Sequence, residues 1–102
     1  GLFLFDFDKT ALSNLPVDNW SIYPNPLTEE AVLTIRSPKD EICNFTTKIF
    51  DSNGRLVHSI ETQQKSYVQF TPKLSCGMYT LKIEFVDDFN QQEYYSFKLI
   101  VL

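Results

Sequence analysis

The chain enters its folded module through the stretch Ile22-Tyr23-Pro24-Asn25-Pro26. Each proline fixes its own φ and moves the preceding residue, Tyr23 or Asn25, toward extended conformations, so a helix is not expected to run through this point. From Glu30, soon after it, apolar and polar residues alternate regularly, which predicts that a strand begins there. The stretch therefore predicts a boundary between a lead, residues 1–19, and an all-β module, residues 20–102.

The length and composition of the chain restrict its class. It has 102 residues, enough for one core, and its 43% hydrophobic and 22% charged residues are typical of a folded globular domain. A formal net charge of -4 argues against a nucleic-acid partner, because phosphate binding requires clustered Lys and Arg. No apolar run is long enough to span a bilayer, and Leu2-Phe3-Leu4-Phe5 lacks the basic flank of a signal peptide. We expect neither nucleic-acid binding nor membrane insertion.

Beyond the prolines, short segments with period-2 alternation are separated by turn residues. The longest segment points four apolar side chains inward: Tyr79, Leu81, Ile83 and Phe85. Asn53-Gly54 predicts a hairpin between a strand ending near Phe50 and a strand at residues 56–60, since both turn residues tolerate positive φ. About seven such strands and no helix predict an immunoglobulin-like antiparallel β-sandwich, with a closed barrel as the alternative.

One motif suggests catalysis. Asp6 and Asp8, two residues apart after an apolar segment and followed by Thr10, resemble the first motif of haloacid-dehalogenase-type phosphatases. That family needs a parallel sheet flanked by helices and a Mg²⁺ site, and this chain has no βαβ pattern and about half the necessary length. Lys9 also stands where a small glycine is usual. We expect the motif to be coincidental and the protein not to be an enzyme.

Other candidate sites are equally weak. His58 is the only histidine and lies in an alternating segment, so a strand side chain is the expected role. Cys43 and Cys76 are too few for a disulfide scaffold, and we expect two free thiols. Oxygen ligands at Asp87, Asp88 and Asn90 lack the Gly and Glu positions of an EF-hand, which favours a hydrated turn. No cofactor or metal is expected.

A carbohydrate platform would need exposed aromatic rings. Most aromatic residues fall on the inward faces of the predicted strands. Trp20 with Tyr94 is the one pair that this reasoning leaves as a candidate platform.

Four segments in order resemble a known module: Tyr23-Pro24-Asn25-Pro26, Ile49-Phe50-Asp51-Ser52-Asn53-Gly54-Arg55-Leu56-Val57, Leu74-Ser75-Cys76-Gly77-Met78-Tyr79-Thr80-Leu81-Lys82-Ile83 and Phe97-Lys98-Leu99-Ile100-Val101. Together they are similar to the type A C-terminal sorting domain of cargo proteins exported by the type IX secretion system of the Bacteroidetes. The resemblance covers residues 20–102. Two departures are Cys76, where a small or apolar residue is usual, and a longer final hairpin that Gln91-Gln92-Glu93 would extend.

The resemblance implies a passive address rather than an enzyme. Family members fold as immunoglobulin-like sandwiches, are recognised by a translocon at the outer membrane, and are often cleaved by a sortase. It thus implies transit through the periplasm to the cell surface or the medium. Matching the motifs residue by residue assigns recognition to Pro24, Asn25, Pro26, Gly54, Gly77, Tyr79 and Lys98.

Two readings of the lead follow. Under the sorting hypothesis, residues 1–19 are the end of a passenger domain and a linker. Under the alternative, the chain is a small free-standing secreted or periplasmic β-sandwich that binds a protein or a glycan, and residues 2–7 form its first strand.

Overall fold

The computed structural model describes residues 19–87 and 89–102. The strand pattern of residues 2–8 and the Asp6/Asp8 motif lie outside this part of the chain, as does Asp88. The described residues form seven strands: β1 (Ser21–Tyr23), β2 (Leu33–Arg36), β3 (Cys43–Phe50), β4 (Leu56–Lys65), β5 (Tyr67–Phe70), β6 (Gly77–Val86) and β7 (Gln92–Val101). A three-residue 3₁₀ turn, Pro38–Asp40, is the one helical element among them.

The strands form two antiparallel sheets. One has the order β1-β2-β5 and the other the order β4-β3-β6-β7. The chain changes sheets between β2 and β3, between β4 and β5, and between β5 and β6. The predicted immunoglobulin-like antiparallel sandwich is confirmed.

Alternation along each strand produces the core between the sheets. Side chains of one phase are buried, because successive residues of a strand point to opposite faces. They include Leu33 and Ile35 of β2, Ile49 of β3, and Leu81 and Ile83 of β6, all with no exposed area. The predicted inward face of β6 is confirmed.

Trp20 closes the core just before β1. Its side chain is 6% exposed, and its ring lies 4.9 Å from that of Phe45 and 5.9 Å from that of Phe85. Tyr94 is on the outer face of β7 and 54% exposed. Trp20 and Tyr94, the one candidate pair for a carbohydrate platform, therefore form none. The indole is part of the core, where a large aromatic side chain removes the most apolar area from water.

Three boundaries differ from the sequence predictions. β2 begins at Leu33 rather than near Glu30, which has a φ of 64°. β4 continues to Lys65 instead of ending at residue 60, because its polar second half still pairs with Cys43 and Phe45. Gln92 and Glu93 belong to β7 and do not lengthen the final hairpin loop.

Candidate functional site

The seven residues assigned to recognition come together at one end of the sandwich. We call it the Gly54 end: the 51–55 loop between β3 and β4, residues 71–79, residues 24–27 and residues 98–102. Register links these segments, since Phe50 pairs with Thr80 and Thr80 pairs with Lys98. Residues far apart in the sequence thus occupy one surface region.

Asn25 fastens the proline stretch to the last strand. Its side-chain Nδ2 donates a hydrogen bond to the Lys98 carbonyl at 2.8 Å, and its Oδ1 accepts one from the Ile100 N–H at 3.1 Å. The amide therefore pairs with the outer edge of β7 as a neighbouring strand would. Both peptide bonds that precede Pro24 and Pro26 are cis.

Leu27 continues this attachment. Its N–H donates to the Ile100 carbonyl at 2.7 Å, and the Leu102 N–H donates to the Leu27 carbonyl at 2.9 Å. The Leu27 side chain is buried in the core. Residues 25–27 therefore run parallel to the end of β7 and cover its edge.

Gly54 provides the positive φ of the 51–55 loop. Its φ is 84°, and a Cβ placed there would have no heavy atom within 4 Å. The Asp51 carboxylate accepts hydrogen bonds from the N–H groups of Asn53 and Arg55, each at 2.9 Å. The bond from Arg55, followed by that from Asn53, holds the pKa of Asp51 below its ordinary value. In this turn Gly54 has positive φ and Asn53 does not.

Gly77 and Tyr79 shape the entry to β6. Gly77 has a φ of 156°, which L side chains rarely adopt. The buried Tyr79 donates its hydroxyl to the Ser75 carbonyl at 2.7 Å. Tyr79 is thus both a core residue, as predicted, and a tether for the preceding segment.

Lys98 presents its side chain to solvent from the outer face of β7. It forms no ion pair within the described part of the chain. The Lys98 ammonium is therefore available to a partner, and Lys98 holds Asn25 through its backbone alone.

Sequence reasoning missed Met78 and Ile100. They pair across β6 and β7 on the outer face and are 52% and 36% exposed. Met78 borders a groove of about 430 Å³, lined by Ser52, Met78, Tyr79, Thr80, Ser96, Phe97 and Lys98. The sequence could have revealed both residues, because each is apolar and alternates with the inward-pointing residues of its strand.

His58, Cys43 and Cys76, the described residues that were considered for catalysis, do not form a grouped site. His58 lies half-buried in β4 and stacks on Phe70, with ring centroids 4.8 Å apart. Cys43 and Cys76 are free thiols, as predicted, and burial raises the pKa of Cys43. Across residues 19–87 and 89–102, no three His, Cys, Asp or Glu side chains are grouped to hold a metal ion.

No helix in the same residues is long and apolar enough to cross a membrane.

A family model described as a secretion system C-terminal sorting domain matches residues 21–101. No curated protein matches the chain.

Two solved structures are similar in fold. The dimeric latent PorU of Porphyromonas gingivalis matches with a TM-score of 0.60 and 22% identity, over 81% of this chain and 9% of PorU. CopC of Methylosinus trichosporium OB3b matches with a TM-score of 0.54 and 14% identity, over 80% of this chain and 92% of CopC. At these identities the structural likeness establishes the fold, and the chain spans only a small part of PorU.

Proposed function

Because the chain belongs to the family of secretion system C-terminal sorting domains of type IX secretion, we propose that it is a non-enzymatic address whose Gly54 end is bound by the secretion machinery. The family implies export to the cell surface or the medium. The family does not specify which surface of the domain the machinery binds, and we assign that role to the Gly54 end.

One observation carries this proposal: four motifs spread over nearly eighty residues of sequence meet at the Gly54 end. Asn25 bonds to the backbone of Lys98 and Ile100. Ser52 of the 51–55 loop lines the same groove as Lys98. A receptor that contacts this end would touch all four motifs at once.

Most of the motif residues would act by holding the surface in shape. Gly54, Gly77 and Tyr79 set backbone conformations or tether segments, and Asn25 is occupied by β7. The side chains that a partner can contact are those of Lys98, Met78 and Ile100, together with the exposed Pro24 and Pro26. We expect the partner to present an apolar surface to Met78 and an acidic group to Lys98.

The module boundary follows from the same proposal. Trp20 is the first core residue in the described part of the chain. We propose that residues 1–19 are the end of a passenger and its linker, with the translocon and a sortase as partners of residues 20–102.

A fusion experiment tests the sorting function. Residues 20–102 are attached to a periplasm-directed reporter in a bacterium with type IX secretion, and the reporter is measured in the periplasm, at the surface and in the medium. We expect it to leave the periplasm in the wild-type host and to stay there in a host without the translocon. Retention of the correctly folded fusion in the periplasm of the wild-type host would contradict the proposal.

A further inference from the structure

The outer face of the three-stranded sheet carries a second group of side chains, of which only Tyr23 adjoins the Gly54 end in the sequence. Alternation points Ile22, Ile35 and Val68 toward the core and the intervening residues outward. Besides Ser21, the outward side chains are Tyr23 of β1, Thr34 and Arg36 of β2, and Tyr67 and Gln69 of β5. We call these five residues, with Asp40, the tyrosine face.

Arg36 holds both tyrosines in place. Its Nε donates a hydrogen bond to the Tyr23 hydroxyl at 3.1 Å, and its guanidinium lies 4.8 Å from the centre of the Tyr67 ring. Its Nη1 lies 2.9 Å from Oδ1 of Asp40. These contacts, first that with Asp40 and then that with Tyr23, raise the pKa of Arg36, so it stays charged. Two aromatic rings are thus positioned before any ligand arrives.

Both rings nevertheless remain accessible to solvent. Tyr23 is 43% exposed and Tyr67 is 42% exposed, so their contacts with Arg36 leave much apolar surface in water. In the same row as Tyr23, Gln69 Nε2 donates to the hydroxyl of the buried Thr34 at 3.1 Å. The two tyrosines therefore lie at diagonally opposite corners of the face, with Thr34 and Arg36 on the central strand between them.

Among the residues that the structure describes, the other sheet has no equivalent pair of exposed rings. There Tyr94 is a single exposed ring with the Lys82 ammonium 4.8 Å from its centre, and Lys48 pairs with Glu84 at 3.0 Å. Cross-strand stabilisation alone accounts for those contacts. The paired, exposed rings distinguish the tyrosine face.

The size of the face favours a small ligand over a protein. Three strands of at most four residues cover roughly 10 by 14 Å, from the usual strand spacing and rise. A stable protein interface buries about 800 Å² on each partner, several times this area. A ligand of a few rings fits it.

We propose that the tyrosine face binds a neutral oligosaccharide. The C–H surface of a sugar ring stacks on aromatic faces, and each hydroxyl both donates and accepts hydrogen bonds. The face offers guanidinium donors, carboxylate and hydroxyl acceptors, and the Gln69 amide, which does both. Because Asp40 neutralises Arg36, the face carries no net charge that would favour an anionic ligand.

Binding is tested on the isotope-labelled 102-residue chain by NMR titration. The probes are two neutral hexasaccharides, cellohexaose and maltohexaose, and trigalacturonic acid as an acidic comparison. We expect saturable shifts at residues 21–23, 34–36 and 67–69 with at least one neutral probe. No saturable shift with either neutral probe at about 10 mM, shifts that map elsewhere, or saturation by the acidic probe alone would overturn the proposal.

Matched variants locate the site. Tyr67→Ala and Tyr23→Ala should each weaken binding roughly five-fold or more, from the loss of one aromatic contact. Tyr94→Ala removes a tyrosine of the other sheet that is at least as exposed as Tyr23 and Tyr67, and it should leave the affinity for the sugar unchanged. Thermal melts confirm that each variant is folded. Equal affinity of the two tyrosine-face variants and the wild type, or weakening by Tyr94→Ala alone, would contradict the assignment.

The glycan site and the sorting function are separable. A reporter fused to the Tyr67→Ala module should still be exported, since Tyr67 lies outside the Gly54 end. Loss of sugar binding with normal export is therefore the expected pair of results for this variant, and loss of export by the folded variant would contradict the separation.

Discussion

The hairpin loops at residues 51–55 and 87–91 lie at opposite ends of one sheet and share a set of hydrogen bonds donated by backbone N–H groups. In each, the first residue is an aspartate whose N–H bonds to the fifth carbonyl, at 2.9 Å from Asp51 and 3.0 Å from Asp87. Each carboxylate accepts the N–H groups of the third and fifth residues at 2.9 Å. The fourth residue has positive φ in both, 84° at Gly54 and 61° at Asn90.

Since the described residues of the two loops share these backbone hydrogen bonds, the bonds cannot distinguish the end that a receptor would recognise. What differs is the surroundings, together with one side-chain hydrogen bond, from Arg55 Nε to Oδ2 of Asp51 at 3.1 Å. The 51–55 loop adjoins the attachment of Asn25, the groove beside Met78 and the side chain of Lys98. The 87–91 loop presents Phe89, which is 84% exposed. A motif glycine can therefore be a requirement of the backbone while its neighbours carry the recognition.

The largest effect on stability should come from Asn25, which has no counterpart at the other end. Asn25→Ala removes two hydrogen bonds to the edge of β7 and should lower the free energy of unfolding by roughly 1–2 kcal/mol. Urea denaturation measures this change. Hydrogen exchange should accelerate at Ile100 and Leu102 while the amides of Phe89 and Gln91 keep their protection.

Asn25→Asp is the matched control, because it keeps the acceptor for Ile100 and loses the donor to Lys98. It should be intermediate in stability. If Asn25→Ala is as stable as the wild type, the side chain does not fasten the proline stretch.

A smaller effect should follow from exchanging the fourth residues of the two loops. Gly54→Ala places a Cβ in open space at positive φ and should cost about 1 kcal/mol. Gly54→Asn should cost less, because Asn90 already occupies the same position in the other loop. Thermal unfolding of both variants and of Asn90→Gly provides the comparison, and a Gly54→Asn variant less stable than Gly54→Ala would show that the loops are not equivalent.

Local pattern was sufficient to predict the strands. The inward phase of Leu81 and Ile83 follows from the fixed two-residue period of a strand, and the 51–55 turn follows from a glycine that tolerates positive φ. Both features depend on residues close together in the sequence. The fold class was predictable for the same reason.

Features that depend on distant contacts were not predictable in this way. Asn25 meets Lys98 seventy-three positions later, so no local pattern reveals that its amide replaces a strand. Trp20 follows a polar stretch and precedes a strand of only three residues, which gives no sign that it joins Phe45 in the core. The resemblance to the family identified the recognition residues as a set. Only the packed structure separates those that hold the backbone from those whose side chains reach solvent.

The claim that the Gly54 end is the surface bound during export can be tested by changing exposed side chains at the two ends. The double variant Met78→Ser with Lys98→Glu alters that surface. Phe89→Ser is its control and removes an exposed apolar side chain from the other loop. Both variants should melt near the wild-type temperature, because exposed positions contribute little to stability. In the reporter fusion, we predict that the double variant lowers the exported fraction about ten-fold or more, as loss of a central contact does, and that Phe89→Ser is exported normally. Normal export of the folded double variant, or an equal loss with Phe89→Ser, would contradict the account.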